Sequence, residues 1–111
     1  MLRGWVSQLR KGMIELAVLA ALRRGEAYGY EILQRLRQNA SLDTSESTVY
    51  PILARLAHEK LVVVRVADSP AGPPRRYYRL TADGQARLRG MAGEWRDLRD
   101  AIDALIQGDR P

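Results

Sequence analysis

The sequence predicts a mostly helical α+β domain in which three helices precede a two-stranded hairpin and one long helix. Apolar residues recur at helical spacing on both sides of a central region. That central region holds a β-branched run, a segment rich in proline and glycine, and a second strand-like run, which together indicate a hairpin. With 111 residues, of which 46% are hydrophobic, the chain is long enough for one domain with one core.

The first two helices are predicted from their apolar positions and their ends. Leu9 to Arg24 forms the first helix, whose apolar residues cover most of its circumference and predict burial on more than one side. Gly25 is a suitable stop. Tyr28 to Asn39 forms the second helix, followed by a short connection in which Leu42 is the expected buried anchor.

The third helix is expected to begin at Thr44 or Ser45, since either side chain can cap it. Its apolar residues follow the i, i+3, i+4, i+7, i+8 pattern of one buried stripe: Val49, Ile52, Leu53, Leu56 and Ala57. Pro51 lies inside this helix, where the missing N–H costs about 3 kcal/mol. We therefore expect a local distortion there.

A hairpin follows the third helix. Leu61 to Val66 is β-branched and predicts a strand, and Arg75 to Leu80 predicts the returning strand. Asp68 to Pro74 is dense in turn residues and predicts a loop. Arg75 and Arg76 would then border the hairpin tip.

The last helix is predicted from Ala82 to Gln107, with Thr81 as its cap and Gly108 as its stop. Its large apolar residues are three and four positions apart, which is a heptad seam: Leu88, Met91, Trp95, Leu98, Ile102 and Leu105. A small domain offers no surface that covers the whole seam. We therefore predict a homodimer formed through this helix and closed by the partner's first helix. Residues 1–80 would form one functional part and residues 81–111 the dimerisation part.

The charges predict a polyanion as the partner of the first part. Residues 1–80 carry 13 Lys and Arg against 7 Asp and Glu, whereas residues 81–111 carry 5 and 6. Such a split is typical of a nucleic-acid-binding part followed by a part with another role.

Composition excludes several other functions. The chain has no cysteine and a single histidine, His58, which argues against metal sites and thiol chemistry. We find no Ser–His, His–carboxylate or phosphate-loop arrangement, so neither an enzyme nor a cofactor is expected. No apolar run approaches the roughly 18 residues that a membrane span needs, and we predict a cytoplasmic protein.

Three helices followed by a hairpin describe a winged helix-turn-helix, in which the third helix enters the DNA major groove. On that helix, Ser47 and Tyr50 can donate to phosphates or base edges, and Arg55 can pair with phosphate. Arg75 and Arg76 can reach phosphate or the minor groove. The N-terminus of the second helix, near Tyr28, can offer backbone N–H groups to a phosphate.

Several motifs of this chain resemble the PadR family of bacterial transcriptional regulators. They are Ala27-Tyr-Gly-Tyr-Glu-Ile32, Ser45-Glu-Ser-Thr-Val-Tyr-Pro51, Leu53-Ala-Arg-Leu56, and Gly72-Pro-Pro-Arg-Arg-Tyr-Tyr-Arg-Leu-Thr81 with Gly84. The length resembles the subgroup that has one C-terminal helix. At Lys60 the chain departs from the family, which usually has glycine where the third helix ends.

The resemblance implies a homodimer that binds inverted-repeat operators in double-stranded DNA, usually as a repressor released by a small effector. It also implies which residues lie where the family contacts DNA: Ser45, Ser47, Thr48, Tyr50, Arg55, Arg75 and Arg76. We add Tyr28 and Pro51 to these candidate DNA-binding residues.

Structural roles remain open for several of these residues. Tyr50 and Pro51 could instead pack the start of the third helix, and Arg75 and Arg76 could be a solvated strand edge that discourages pairing. A ligand-independent DNA-binding protein and a winged-helix protein–protein adaptor are alternative functions. The basic surplus of residues 1–80 favours DNA over a protein partner.

Trp95 has two readings. It either packs in the dimer core, or lines a cavity together with its symmetry mate in the partner and stacks on a planar aromatic effector, with Met91 and Leu98 beside it. The resemblance supports the second reading, since a tryptophan on the C-terminal helix serves multidrug recognition in some short members of the family.

Overall fold

The computed structural model of the chain describes residues 2–108. A single 3₁₀ turn, Ala40–Leu42, joins the second and third helices. The helices and strands run in the order α1 (Leu2–Ala21), β1 (Ala27–Tyr28), α2 (Gly29–Arg37), α3 (Glu46–His58), β2 (Val62–Ser69), β3 (Gly72–Leu80) and α4 (Ala82–Gln107). This is the predicted α+β fold, a winged helix-turn-helix followed by one long helix, and the β2–β3 hairpin is called the wing below.

One core joins the three N-terminal helices, the sheet and the start of α4. Each large apolar side chain that leaves water here contributes about 1.5–3 kcal/mol. The completely buried large side chains are Val18, Leu19, Leu22, Ile32, Leu33, Val49, Leu53 and Leu56.

The first helix is longer than predicted, since it begins at Leu2 rather than Leu9 and ends at Ala21 rather than Arg24. Its first two turns carry no core-facing stripe: Leu2 and Trp5 are 74% and 61% exposed. Periodicity of buried residues could not detect a helical segment that this chain leaves uncovered.

A third strand, β1, was not predicted. It has only two residues, Ala27 and Tyr28, which pair antiparallel with Tyr78 and Tyr77 of β3, and the sheet order is β1-β3-β2. Two residues are too few to show an alternating pattern. Since Tyr28 also precedes α2, the strand fixes the start of the second helix against the wing, and α2 begins at Gly29.

The predicted loop from Asp68 to Pro74 is wrong, because most of it is strand. β2 continues to Ser69 and β3 starts at Gly72, so the turn is confined to residues 70–71. The antiparallel register shifts between Ala67 and Ser69, opposite the two prolines of β3, which cannot donate to the ladder. Arg75 and Arg76 therefore lie within β3, and their predicted place at the hairpin tip is also wrong.

The ends of α3 agree with the sequence. Ser45 occupies the cap position, and the helix continues through Pro51 without interruption. Beyond its C-terminus, Lys60 has a φ of 62°, a left-handed conformation that glycine adopts more readily. The backbone thus keeps, with lysine, the geometry for which the family's glycine is suited.

The fourth helix has the predicted bounds. The Thr81 hydroxyl accepts a hydrogen bond from the Gly84 N–H at 3.0 Å, and Gly108 ends the helix with a φ of 71°. Leu88 is buried, but Leu98 and Leu105 farther along the seam are 59% and 77% exposed. Among the described helices, none is long and apolar enough to cross a membrane.

Candidate nucleic-acid interface

A cavity of about 630 Å³ separates the wing from the N-termini of α2 and α3. Backbone and prolines of the wing form one wall, and tyrosines of the two helices form the other. The side chains that line it and can hydrogen-bond are Tyr28, Tyr30, Tyr50, Ser69, Arg75, Arg76 and Tyr78. Arg76 is exposed. The structure therefore brings predicted residues from β1, α3 and the wing to one concave surface.

Arg75 is held in place by a ladder of aromatic and charged side chains. Its guanidinium lies 4.5 Å from the centroid of the Tyr28 ring, which meets Tyr77 edge to face at 5.5 Å. Arg65 lies 4.7 Å from the Tyr77 centroid and donates to both carboxylate oxygens of Glu26, at 2.7 and 3.0 Å. Hydrogen bonding to Arg65 lowers the pKa of Glu26. The ladder orients the Arg75 cation beside the cavity.

Tyr50 packs on the backbone of α2. A Cβ added to Gly29 would overlap its ring, lying 3.2 Å from Cζ, so this close approach requires glycine. The side chain is nevertheless 39% exposed. Partial burial, and secondarily the Glu46 carboxylate, raise the pKa of Tyr50, which keeps its hydroxyl protonated and able to donate.

The N-terminus of α3 presents three exposed hydroxyl groups. Ser45 Oγ lies 2.9 Å from Ser47 Oγ and 3.3 Å from Thr48 Oγ1. Ser45 makes no side-chain hydrogen bond to the helix N–H groups, although it has the cap position. Pro51 follows Tyr50 and is exposed, but its ring offers no donor. The three hydroxyls can exchange their mutual hydrogen bonds for bonds to a ligand.

The N-terminus of α2 differs from the prediction. The Tyr28 N–H donates to Glu31 Oε1 at 3.0 Å, so it is not free for a phosphate. Tyr28 contributes its ring to the interface instead. Tyr30, which the sequence analysis did not select, is 47% exposed and lines the same cavity. An aromatic residue on the polar side of an amphipathic helix was the signal that could have identified it.

The structure does not bring Arg55 to this surface. Arg55 donates to Glu15 of α1 and, at 3.1 Å, to Glu59 of its own helix. Hydrogen bonding to Glu15 raises the pKa of Arg55. Glu15 also accepts from Arg87 Nε at 3.3 Å, so one carboxylate joins α1, α3 and α4. Arg55 therefore supports the position of α3, and the predicted phosphate contact has no support in this conformation.

Trp95 lines a second cavity, of about 640 Å³, between α1 and α4. Its neighbours there include Leu16, Ala20 and Leu88. Met91 packs against the core and Leu98 lies farther out on the helix, so neither lines this cavity in the single chain. Within residues 2–108, no three His, Asp or Glu side chains come close enough to hold a metal ion.

Comparisons with known proteins show the family and the fold of this chain. The sequence pattern of the transcriptional regulator PadR-like family matches residues 18–90. A PadR family transcriptional regulator from Eggerthella lenta is 31% identical with a TM-score of 0.84, over 95% of this chain and 91% of that one. A PadR-like regulator from Bacillus cereus is 32% identical with a TM-score of 0.80, over 92% and 99%. Bacillus subtilis PadR, solved in complex with operator DNA, is 27% identical with a TM-score of 0.64, over 71% of this chain and 46% of that one.

Proposed function

Because the chain belongs to the PadR-like family of transcriptional regulators, we propose that it binds operator DNA through the concave surface between the wing and α3. The observation that carries this proposal is the convergence of an oriented arginine, Arg75, with the tyrosines of α2 and α3 on one cavity. The similarity to a PadR solved with operator DNA supports it.

In this proposal the hydroxyls of Ser47 and Tyr50 contact base edges or phosphates from the major groove. Ser45 and Thr48 contribute hydroxyls from the same helix end. Arg75 and the neighbouring Arg76 neutralise backbone phosphates, and the rings of Tyr28 and Tyr30 fill the space between the wing and α3. Pro51 shapes the helix surface without a polar contact.

We also propose that the protein acts as a homodimer on inverted-repeat operators in the cytoplasm. The exposed apolar residues of α4, and of the first turns of α1, support this, because a second copy can cover both. Residues 1–80 would bind DNA and residues 81–111 dimerise, of which residues 1 and 109–111 lie outside the described part of the chain.

Replacing Arg75 or Arg76 with alanine is expected to weaken DNA binding and to flatten its salt dependence. When a phosphate contact is lost, DNA binding releases about one counterion fewer. The slope of log K against log salt should therefore become shallower by about one. Fluorescence anisotropy with a duplex from the promoter of the protein's own gene, at several salt concentrations, measures both quantities.

Arg79→Ala is the matched control, since Arg79 lies on the same strand but outside the cavity. Tyr50→Phe keeps the ring on Gly29 and should weaken operator binding more than binding to scrambled DNA. Equal salt slopes for the Arg75→Ala variant and the wild type would contradict the proposed interface. A wild type that binds no duplex would favour the adaptor function.

We propose further that the protein is a repressor released by a planar aromatic effector stacked on Trp95. The apolar side chains that line the cavity between α1 and α4, beside Arg23, Gln85 and Arg89, support this. In a dimer, the Trp95 residues of the two copies would face each other near the symmetry axis. A ligand between them would change the angle between the α4 helices and the spacing of the recognition helices. The two DNA half-sites must lie about 34 Å apart, or a multiple of that distance, for both α3 helices to enter grooves. A ligand that binds more tightly to a dimer with another spacing therefore lowers the affinity for the operator.

Planar cationic dyes are expected to quench the fluorescence of Trp95. The titration uses Trp5→Phe protein, in which Trp95 is the only tryptophan. Quenching should disappear in Trp95→Ala and should follow release of the operator duplex at the same dye concentrations. Absence of quenching across a varied dye panel would leave Trp95 as dimer packing alone.

A further inference from the structure

Besides the two cavities described above, a concave surface of about 480 Å³ lies between the N-terminus of α3 and α1. Ser45 and Thr48 line it, whereas Tyr50 lines the cavity toward the wing. The N-terminus of α3 therefore lies between two concave surfaces, one toward the wing and one toward α1. The charged side chains that line the one toward α1 are Arg10, Lys11, Arg37 and Asp43.

The two arginines are anchored to the connection between α2 and α3. Arg10 Nε donates to the Ser41 carbonyl oxygen at 3.1 Å, and Arg37 Nε donates to the Thr44 carbonyl oxygen at 3.1 Å. Only the Nε atoms are used, and within residues 2–108 no hydrogen bond engages the terminal Nη atoms of either residue. An arginine fixed through Nε presents its terminal nitrogens with little further loss of conformational freedom, and that group matches the geometry of a phosphate.

The anchoring role does not account for the whole charge cluster. Lys11 makes no salt bridge to a described residue, and the acid that lines this surface, Asp43, lies 3.6 Å from Arg37 Nε. Three cations around one concave surface repel one another, and a single carboxylate does not neutralise them. An anion seated among them would remove that repulsion.

We propose that Arg10, Lys11 and Arg37 form a second phosphate-binding site, which holds the DNA backbone on the α1 side of the recognition helix. The inference rests on the proposed function, because the phosphate is that of the bound operator. The wing arginines and this cluster then contact the DNA backbone on opposite sides of α3. Since phosphates carry no base identity, the cluster adds affinity for every duplex in the same proportion.

The test measures the salt dependence of duplex binding by the full chain carrying Arg10→Gln and Lys11→Gln together. Two lost phosphate contacts should lower the slope of log K against log salt by about two. Affinity at low salt should fall roughly tenfold for the promoter duplex and for scrambled DNA alike. The matched control is Arg24→Gln with Arg96→Gln, which removes the same charge from two exposed positions outside this surface. Its slope should equal that of the wild type.

Lys11→Gln alone excludes a structural explanation, because Lys11 anchors no described segment. It should lower the slope by about one while the melting temperature stays unchanged. If the wild type binds the promoter duplex and these variants keep its slope, the second site is overturned and the proposed function stands. If the wild type binds no duplex, the proposed function itself fails.

A free phosphate compound is the other source of the same chemistry. Inorganic phosphate is added to the wild type at constant ionic strength, and the melting temperature is compared with that in chloride. Two results together would assign the site to a free anion and overturn the DNA proposal. Phosphate would raise the melting temperature of the wild type but not that of the Arg10→Gln, Lys11→Gln protein, and the two proteins would have the same salt slope for DNA binding. Equal melting temperatures and the reduced slopes support the DNA proposal.

Discussion

Replacing Gly84 with alanine is expected to destabilise the protein by about 3 kcal/mol or more, because the added methyl group meets backbone that cannot move. A Cβ at this position would overlap the carbonyl oxygen of Leu61 and lie 3.0 Å from its carbonyl carbon. The overlap involves main chain, so no side-chain rotation relieves it. Gly84 is therefore required for α4 to pack against the start of β2.

The Leu61 segment is held on both sides. The Leu61 carbonyl accepts from the Thr81 N–H at 3.1 Å, and the Leu61 N–H donates to the Leu56 carbonyl at 2.9 Å. The Thr81 hydroxyl also donates to the Lys60 carbonyl at 2.8 Å. Moving the strand away from alanine would break these bonds, and moving α4 would expose Leu88.

Urea unfolding at one fixed protein concentration measures this effect, since the proposed dimer would make stability depend on concentration. Gly90→Ala is the matched control: it is on the same helix, and its added Cβ meets nothing within 4 Å. That change should be neutral or stabilise by up to about 1 kcal/mol, because alanine favours the helix. A Gly84→Ala protein as stable as the wild type would show that α4 can shift on the core.

Replacing Ile102 with aspartate is expected to convert the proposed dimer into monomers. Ile102 belongs to the uncovered seam and is 47% exposed in the single chain. In the proposed dimer it would be buried twice, once from each copy, and an unpaired buried carboxylate costs about 3 kcal/mol or more. Two such penalties amount to about 6 kcal/mol, so the dissociation constant should rise by about ten-thousandfold or more.

Light scattering and sedimentation at micromolar concentration measure the oligomeric state. Ala86→Asp adds the same charge to the same helix, at an exposed position away from the seam, and should remain dimeric. The Ile102→Asp protein should retain its circular dichroism, because this residue is outside the core of the single chain. A wild type that is monomeric at these concentrations would contradict the dimer, and so would an Ile102→Asp protein that remains dimeric.

The accuracy of the sequence-based predictions differs between the two ends of the chain for a physical reason. α4 was predicted with both of its bounds, because its cap, Thr81, and its stop, Gly108, act within one helical turn. α1 was predicted too short, since Leu2 and Trp5 stay largely exposed among the described residues and leave no pattern of burial. Helix caps and stops act over a few residues and could be recognised in the sequence. Packing against a surface that is distant in the sequence could not.

The candidate interface divides in the same way. Residue types and spacing alone selected Tyr50 and Arg75, which the structure brings to one cavity. Only the tertiary structure decided where Arg75 lies. The segment with the two prolines, which resembles a loop in the sequence, is a strand because it pairs with β2. Arg75 therefore lies within β3, with its guanidinium on the Tyr28 ring. The tertiary structure also decided that Arg55 is held by Glu15, 40 residues away in the chain, through packing of α1 on α3.

The sequence by itself therefore determined the helices, the hairpin, the cap of α4 and the family of this chain, since each depends on residue order over short stretches. The tertiary structure alone decided which cations are tied to acids and which remain available to a ligand. Arg55 and Arg65 have carboxylate partners from other elements, whereas the terminal nitrogens of Arg10 have none among the described residues. A cation's partner depends on the acids that folding brings within about 4 Å of it, and that distance is set by helix and sheet packing rather than by sequence spacing.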